Sequence, residues 1–107
     1  MGFFTRTPAI DAPALAEWLA DRRLVVVDVR EPHEWRRGHI GGSHHVPLRQ
    51  LSARMQRIPL DRPVVTVCAT GHRSAAAARM LRGAGYEVEN LAGGIRAWSR
   101  AGLPLAR

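Results

Sequence analysis

The tightest constraint on the fold is a pair of short apolar runs that do not alternate. Leu24-Val25-Val26-Val27 and Val64-Val65-Thr66-Val67 place β-branched residues at successive positions. Neighbouring side chains on a strand point to opposite faces, so each of these strands must be covered on both sides. Strands of that kind belong to parallel sheets flanked by helices. Parallel neighbours need long crossover connections, usually helical, and the chain supplies them.

Asp11 is an N-cap for a helix over 12–20, with Pro13 in its first turn and Ile10 and Leu15 at the positions of a hydrophobic staple. A short helix begins near Pro32 and ends at Gly38. The spacing predicts a strand over 44–47, a helix over 48–57 from Leu48, Leu51, Met55 and Ile58, and a helix over 73–84 from Ala77, Met80, Leu81 and Ala84. A strand over 86–91 and a last helix over 94–101 complete the order. The expected class is α/β, a mainly parallel sheet with helices on both faces.

At 107 residues, 46% hydrophobic and 23% charged, residues 1–107 suit one globular domain with a modest core. No apolar run approaches the ~20 residues of a membrane span, and the first residues lack the apolar core of a signal peptide. The single cysteine, Cys68, excludes a disulfide within the chain and fits a reducing compartment. A cytoplasmic protein with no membrane partner is expected.

In an open α/β sheet the ligand site lies at the carboxyl ends of the strands. Two segments stand there, Asp28-Val29-Arg30 and Cys68-Ala69-Thr70-Gly71-His72-Arg73-Ser74. The second joins a buried strand to a helix. Its successive N–H groups can form an anion nest, reinforced by the helix dipole and by Arg73. A thiol at an ordinary pKa is only about 3% thiolate at pH 7; helix N-termini and nearby cations are what raise that fraction. Cys68 is thus a candidate nucleophile, with Ala69, Thr70, Gly71, His72, Arg73 and Ser74 as its binding loop. The bland alternative is a buried structural cysteine.

The loop resembles the active-site loop of rhodanese-like domains, C-x-x-G-x-R-S. Asp28-Val29-Arg30-Glu31-Pro32-His33-Glu34-Trp35-Arg36-Arg37-Gly38-His39-Ile40 is similar to that family's upstream motif, and Leu91-Ala92-Gly93-Gly94-Ile95-Arg96-Ala97-Trp98 with Gly102-Leu103-Pro104 to its closing motif. The resemblance implies a five-stranded sheet with Phe3-Phe4-Thr5-Arg6 as first strand. It also implies transfer of sulfane sulfur through a Cys68 persulfide, from a small anionic donor such as thiosulfate to a thiophilic acceptor, cyanide or a small or protein thiol. No metal or organic cofactor is called for. A relay or interaction module serving one protein partner shares the first half-reaction and stays open. Four residues separate Cys68 from Arg73, against five in the related cell-cycle phosphatases, whose wider loop holds a phosphate.

Asp28 and Arg30 either point into the site or support it by tying strand to helix, the structural ion pair being favoured, with Glu34, one helical turn on, as the expected partner of Arg30. The His72 side chain is expected to be exposed, and Thr70 either meets the donor or shapes the loop. His44 and His45 stand where the family often has Asn at the second position; on a strand they face opposite ways, a poor basis for one metal site. Trp18, Trp35 and Trp98 are expected in the core. The charge of +7 comes with 16 arginines and no lysine. They are dispersed and lack interleaved aromatics, which speaks against nucleic acid and leaves attraction of small anions.

Overall fold

In a computed structural model the described residues are 8–21 and 23–107. The elements run β1 (Ala9–Ile10), α1 (Ala12–Ala20), β2 (Val25–Asp28), α2 (Pro32–Arg37), β3 (His44–His45), α3 (Leu51–Arg54), β4 (Val64–Val67), α4 (His72–Gly83), β5 (Val88–Leu91) and α5 (Gly94–Arg100). Short 3₁₀ turns, Leu48–Gln50 and Met55–Arg57, flank α3. The five strands form one parallel sheet in the order β1-β5-β4-β2-β3.

The two valine runs lie side by side at the centre, with Val25, Val26, Val27 and Asp28 opposite Val64, Val65, Thr66 and Val67. Every residue of both strands is buried. Val25, Val27, Val29 and Val64 pack under Ala77, Ala78 and Leu81 of α4 and Leu51 of α3. Val26, Val65 and Val67 pack on the other face against Leu15 of α1 and Trp98 of α5. The lack of alternation in the sequence is this two-sided burial. Asp11 caps α1 as expected, its Oδ1 accepting from Ala14 N at 2.9 Å, and Ile10 and Leu15 share one cluster.

The expected strand at Phe3-Phe4-Thr5-Arg6 lies outside the described residues; among the described residues the strand at the sheet edge next to β5 is Ala9–Ile10. Other expectations need correction. The helix expected over 48–57 is a single α turn between two 3₁₀ turns. Its C-terminal end has a clear cause. An α-helical bond to Met55 O would need an N–H at position 59, which is Pro59. The chain closes a tighter turn instead, Ile58 N to Met55 O at 2.9 Å. Tyr86 Oη, 2.9 Å from Met55 O and 2.8 Å from Ile58 O, occupies the remaining acceptor positions. The Tyr86 N–H is used at the end of α4, donating to Leu81 O at 3.1 Å, and β5 begins at Val88 and not at Tyr86. The strand over 44–47 shortens to His44–His45.

Trp98 is buried and donates Nε1–H to Pro104 O at 2.8 Å, and Trp18 packs half-buried against the α1–α5 side of the core. Trp35 is not a core residue: it is half-buried and stacked between His39 and His45, at centroid distances of 3.5 and 4.7 Å. His44 and His45 do diverge. His44 is exposed, while His45 Nε2 sits 2.7 Å from Arg30 O.

The carboxyl end of β2 is held by Asp28 and Arg30, both buried. Arg30 donates from Nε and Nη2 to the two Asp28 oxygens at 2.8–3.1 Å, and from Nη2 to Gly38 O at 2.8 Å. Removing one member of such a pair strands a charge in the interior, at a cost of about 3–5 kcal/mol. Asp28→Ala is therefore expected to lower the unfolding free energy by that amount, moving the denaturant midpoint with an unchanged m-value. A shift under about 1 kcal/mol would show that the pair contributes little.

Candidate active site

The site forms where β4 ends. Cys68 follows Val67 directly, and the chain turns through Ala69 and Thr70 to Gly71 before α4 begins at His72. Gly71 has φ of +109°, a conformation that side chains resist. This turn brings later backbone amides back toward the cysteine. Sγ receives Gly71 N–H at 3.1 Å, Ser74 N–H at 3.3 Å and Ser74 Oγ–H at 3.2 Å.

Burial pushes the Cys68 thiol upward and is the largest single influence. The Ser74 hydroxyl, then the amides of Ser74, Gly71 and Thr70, oppose it and together win, so the thiol lies below its ordinary value. A buried cysteine without those donors would be driven the other way. The arrangement favours the thiolate form of Cys68 more than an apolar setting would.

The loop is pinned from beneath. Gly71 O accepts from Asn90 Nδ2 at 3.0 Å. Thr66 Oγ1 lies 2.9 Å from Ser74 O and 3.2 Å from Asn90 Oδ1. From the side, Ile95 N–H donates to Cys68 O at 2.9 Å and Arg96 N–H to Ala69 O at 3.1 Å. Gly94 makes this approach possible: with φ of +61°, any Cβ there would overlap Cys68 O and Ala69 O. Gly94 is in this way as much a part of the loop as Gly71.

Of the residues expected at the site, Cys68, Gly71 and Ser74 converge on the sulfur. Ala69 is half-buried and contributes its carbonyl to the contact with α5. Thr70 and His72 are exposed at the lip, with Thr70 Oγ1 3.3 Å from His72 Nδ1. Arg73 does not bond the sulfur and forms a bidentate pair with Glu34, at 2.7 and 2.8 Å. The expected Arg30–Glu34 pairing is thus corrected: Arg30 takes Asp28, nearer in sequence and equally buried, and Glu34 takes Arg73. The Glu34–Arg73 hydrogen bonds hold the Glu34 carboxyl down to about 2, and Arg73 is raised in turn. Glu34 also closes a capping box on α2, accepting Glu31 N–H at 3.0 Å. The upstream motif is tied to the cysteine loop through this one carboxylate.

Thr66, Asn90 and the Glu34–Arg73 link were not singled out from sequence. The available signal was Thr66 and Asn90 themselves, uncharged polar residues in strands otherwise buried. Among the described residues no group of three or more His, Cys, Asp or Glu side chains gathers where it could hold a metal. Nor is any helix of the described residues long and apolar enough to cross a membrane.

Comparison with known proteins agrees with this geometry. A family model for the rhodanese-like domain matches residues 11–101. A sulfurtransferase of Allochromatium vinosum is 43% identical over 98 residues, covering 90% of this chain and 92% of its own. The thiosulfate sulfurtransferase GlpE of Stutzerimonas stutzeri is 36% identical over 96 residues, covering 89% and 84%. The crystal structure of a rhodanese-related protein from Thermoplasma volcanium superposes with a TM-score of 0.87 at 33% identity, over 92% of this chain and 97% of the other.

Two measurements test this geometry. Loss of the Ser74 hydroxyl removes the largest of the influences that lower the thiol. In Ser74→Ala the pH midpoint of Cys68 alkylation is expected to move upward, by the equivalent of one hydrogen bond to a charged acceptor, about 1.5–3 kcal/mol. An unmoved midpoint would assign the activation elsewhere. Glu34, shifted from 4.5 to about 2, contributes stability that is complete above pH 4.5 and lost as the pH falls toward 2. Glu34→Gln is expected to flatten the stability profile across that window; a profile parallel to the unsubstituted protein would contradict the pairing.

Proposed function

The chain belongs to the rhodanese-like domain family of sulfurtransferases, and on that premise we propose that it moves sulfane sulfur from thiosulfate to a thiophilic acceptor through a persulfide on Cys68. The observation that carries this reading is the set of three donors on a buried sulfur at the end of a central strand.

In the first half-reaction the Cys68 thiolate attacks the outer sulfur of thiosulfate. A bond forms between Sγ and that sulfur, the sulfur–sulfur bond of the donor breaks, and its electron pair leaves with sulfite. In the second, cyanide or a thiolate attacks the outer sulfur, the Sγ–S bond breaks, and the pair returns to Sγ. This is covalent catalysis in two easier steps. The donors from Gly71 and Ser74 stabilise the thiolate before attack and again as it leaves, so they are needed at the same atom in both halves. They are held by Asn90, Thr66 and α5 and need no rearrangement during reaction. Arg73, paired to Glu34, keeps positive charge beside the loop and fixes the start of α4; its role is positioning as well as attraction of the anionic donor.

The donor and acceptor named are those carried by the chemistry and by the thiosulfate sulfurtransferase relative. A reducing compartment such as the cytoplasm fits a lone thiol that must stay unoxidised between turnovers.

Steady-state thiocyanate formation from thiosulfate and cyanide tests the proposal. Parallel double-reciprocal lines are expected, the signature of a covalent intermediate. Cys68→Ala is expected to show no turnover above background while retaining its unfolding transition. Full activity in that variant would overturn the mechanism. A persulfide that forms but turns over poorly with cyanide would favour service to a protein partner.

A further inference from the structure

Glu34 is carried by α2, and none of the six residues of that helix is buried. A helix so short does not persist by its own propensity. No residue of α2 belongs to either core cluster, so it lacks the apolar face that seats α1 and α4 on the sheet. Its place must be fixed by other contacts. We propose that His45 fixes it: the imidazole is the platform on which α2 rests through Trp35, and this makes His45 a positioning residue for the Cys68 loop, on the reading that Cys68 is the reacting group.

The platform is built outward from the sheet. His45 stands opposite Asp28 in the register of β3 on β2, and the next N–H, that of Val46, donates to Asp28 O at 3.0 Å. His45 Nε2 lies 2.7 Å from Arg30 O. A carbonyl only accepts, so Nε2 carries the proton and the ring is held in one orientation. The Trp35 indole lies nearly parallel to that ring, with 8° between the planes and 4.7 Å between centroids. His39 stacks on the indole at 2° and 3.5 Å, with Nδ1 2.9 Å from Trp35 O. His39 is fixed in turn by Ala106: its N–H donates to Ala106 O at 2.9 Å, and its carbonyl accepts from Ala106 N at 2.7 Å. The indole is thus clamped between two rings that are each anchored to backbone.

From Trp35 a short series of bonds reaches the sulfur. Glu34, its neighbour in α2, takes Arg73 at 2.7 and 2.8 Å and accepts Glu31 N–H at 3.0 Å. Arg73 precedes Ser74, which supplies two of the three donors on Cys68 Sγ. Arg73 also feels the charge on Cys68. A stack that shifts therefore carries Glu34 with it, and the guanidinium at the head of α4 follows.

Substitution separates the ring from its hydrogen bond. His45→Phe keeps a flat ring against Trp35 and removes the donor to Arg30 O. His45→Gln keeps an N–H donor at the reach of Nε2 and removes the ring. Both are compared with the unsubstituted protein in the pH midpoint of Cys68 alkylation by iodoacetamide and in kcat/KM for thiosulfate, with the denaturant midpoint recorded for each. His45→Gln is expected to raise the alkylation midpoint and to lower kcat/KM by about tenfold, because a displacement of even about 1 Å near a reacting centre is costly. His45→Phe is expected to hold both within about twofold, since the platform remains, while its denaturant midpoint falls because Arg30 O loses the imidazole donor. Equal loss in the two variants, loss in His45→Phe alone, or no change in either would overturn the platform.

The route is tested by a double-mutant cycle. In Glu34→Ala the link to Arg73 is already cut, so adding His45→Gln is expected to lower kcat/KM by less than about twofold further. A second loss of about tenfold would overturn the route through Glu34. Alkylation needs no sulfur transfer. If the unsubstituted protein fails to turn over thiosulfate, the sulfur-transfer reading falls and the alkylation midpoints, in the single variants and in the cycle, still decide on His45. If it turns over and His45→Gln leaves both readouts unmoved, the reaction stands and the positioning role of His45 falls.

Discussion

A thiolate in a protein interior must be met by donors that are already in place, and the rest of this structure follows from that requirement. Cys68 Sγ is buried and yet lies below its ordinary pKa, because Gly71 N–H, Ser74 N–H and Ser74 Oγ–H all point at it. Those donors face inward only while the turn at Gly71 is held. Asn90 grips it from β5, Thr66 from β4, and the first turn of α5 from the side. Elements remote in sequence are thus committed to the orientation of one short loop. The parallel sheet is what brings their carboxyl ends to one edge.

The arginines divide along the same line. Arg30 and Arg73 are matched, one by Asp28 within the interior and one by Glu34 across α2 and α4. Their charges stiffen the frame around the loop more than they add net field. The Arg73 pair connects the segment after β2 to the cysteine loop, and the Arg30 pair fixes where that segment starts. Arg96 and Arg100 have no ion-pair partner among the described residues and line an open recess with Arg30 and Ala69. The net charge of +7 therefore says little as a total; its effect depends on which arginines remain unpaired beside the site.

Much of this was legible in sequence. The unalternated valine runs required a two-faced parallel sheet, and the loop after Val67 marked Cys68, because a glycine turn leading into a helix start is how backbone donors are gathered on one atom. What local pattern did not show was partnership across the sheet. Helical spacing points Arg30 toward Glu34, and packing pairs it with Asp28 instead. Thr66 and Asn90 look like minor breaks in apolar strands until they are seen beneath the loop. Trp35 carries the hydrophobic bulk of a core residue, yet it stacks between two histidines at the surface of the fold. The helix expected over 48–57 failed at its end because Pro59 withholds an N–H, a signal present in the sequence but outweighed there by apolar spacing.

The most direct test of the central claim is the intact mass of the protein after brief exposure to thiosulfate and removal of excess donor. A Cys68 persulfide predicts a species heavier by about 32 Da, one added sulfur, that reverts on addition of cyanide and does not form in Cys68→Ser. An unchanged mass in the unsubstituted protein, or the same addition in Cys68→Ser, would contradict it.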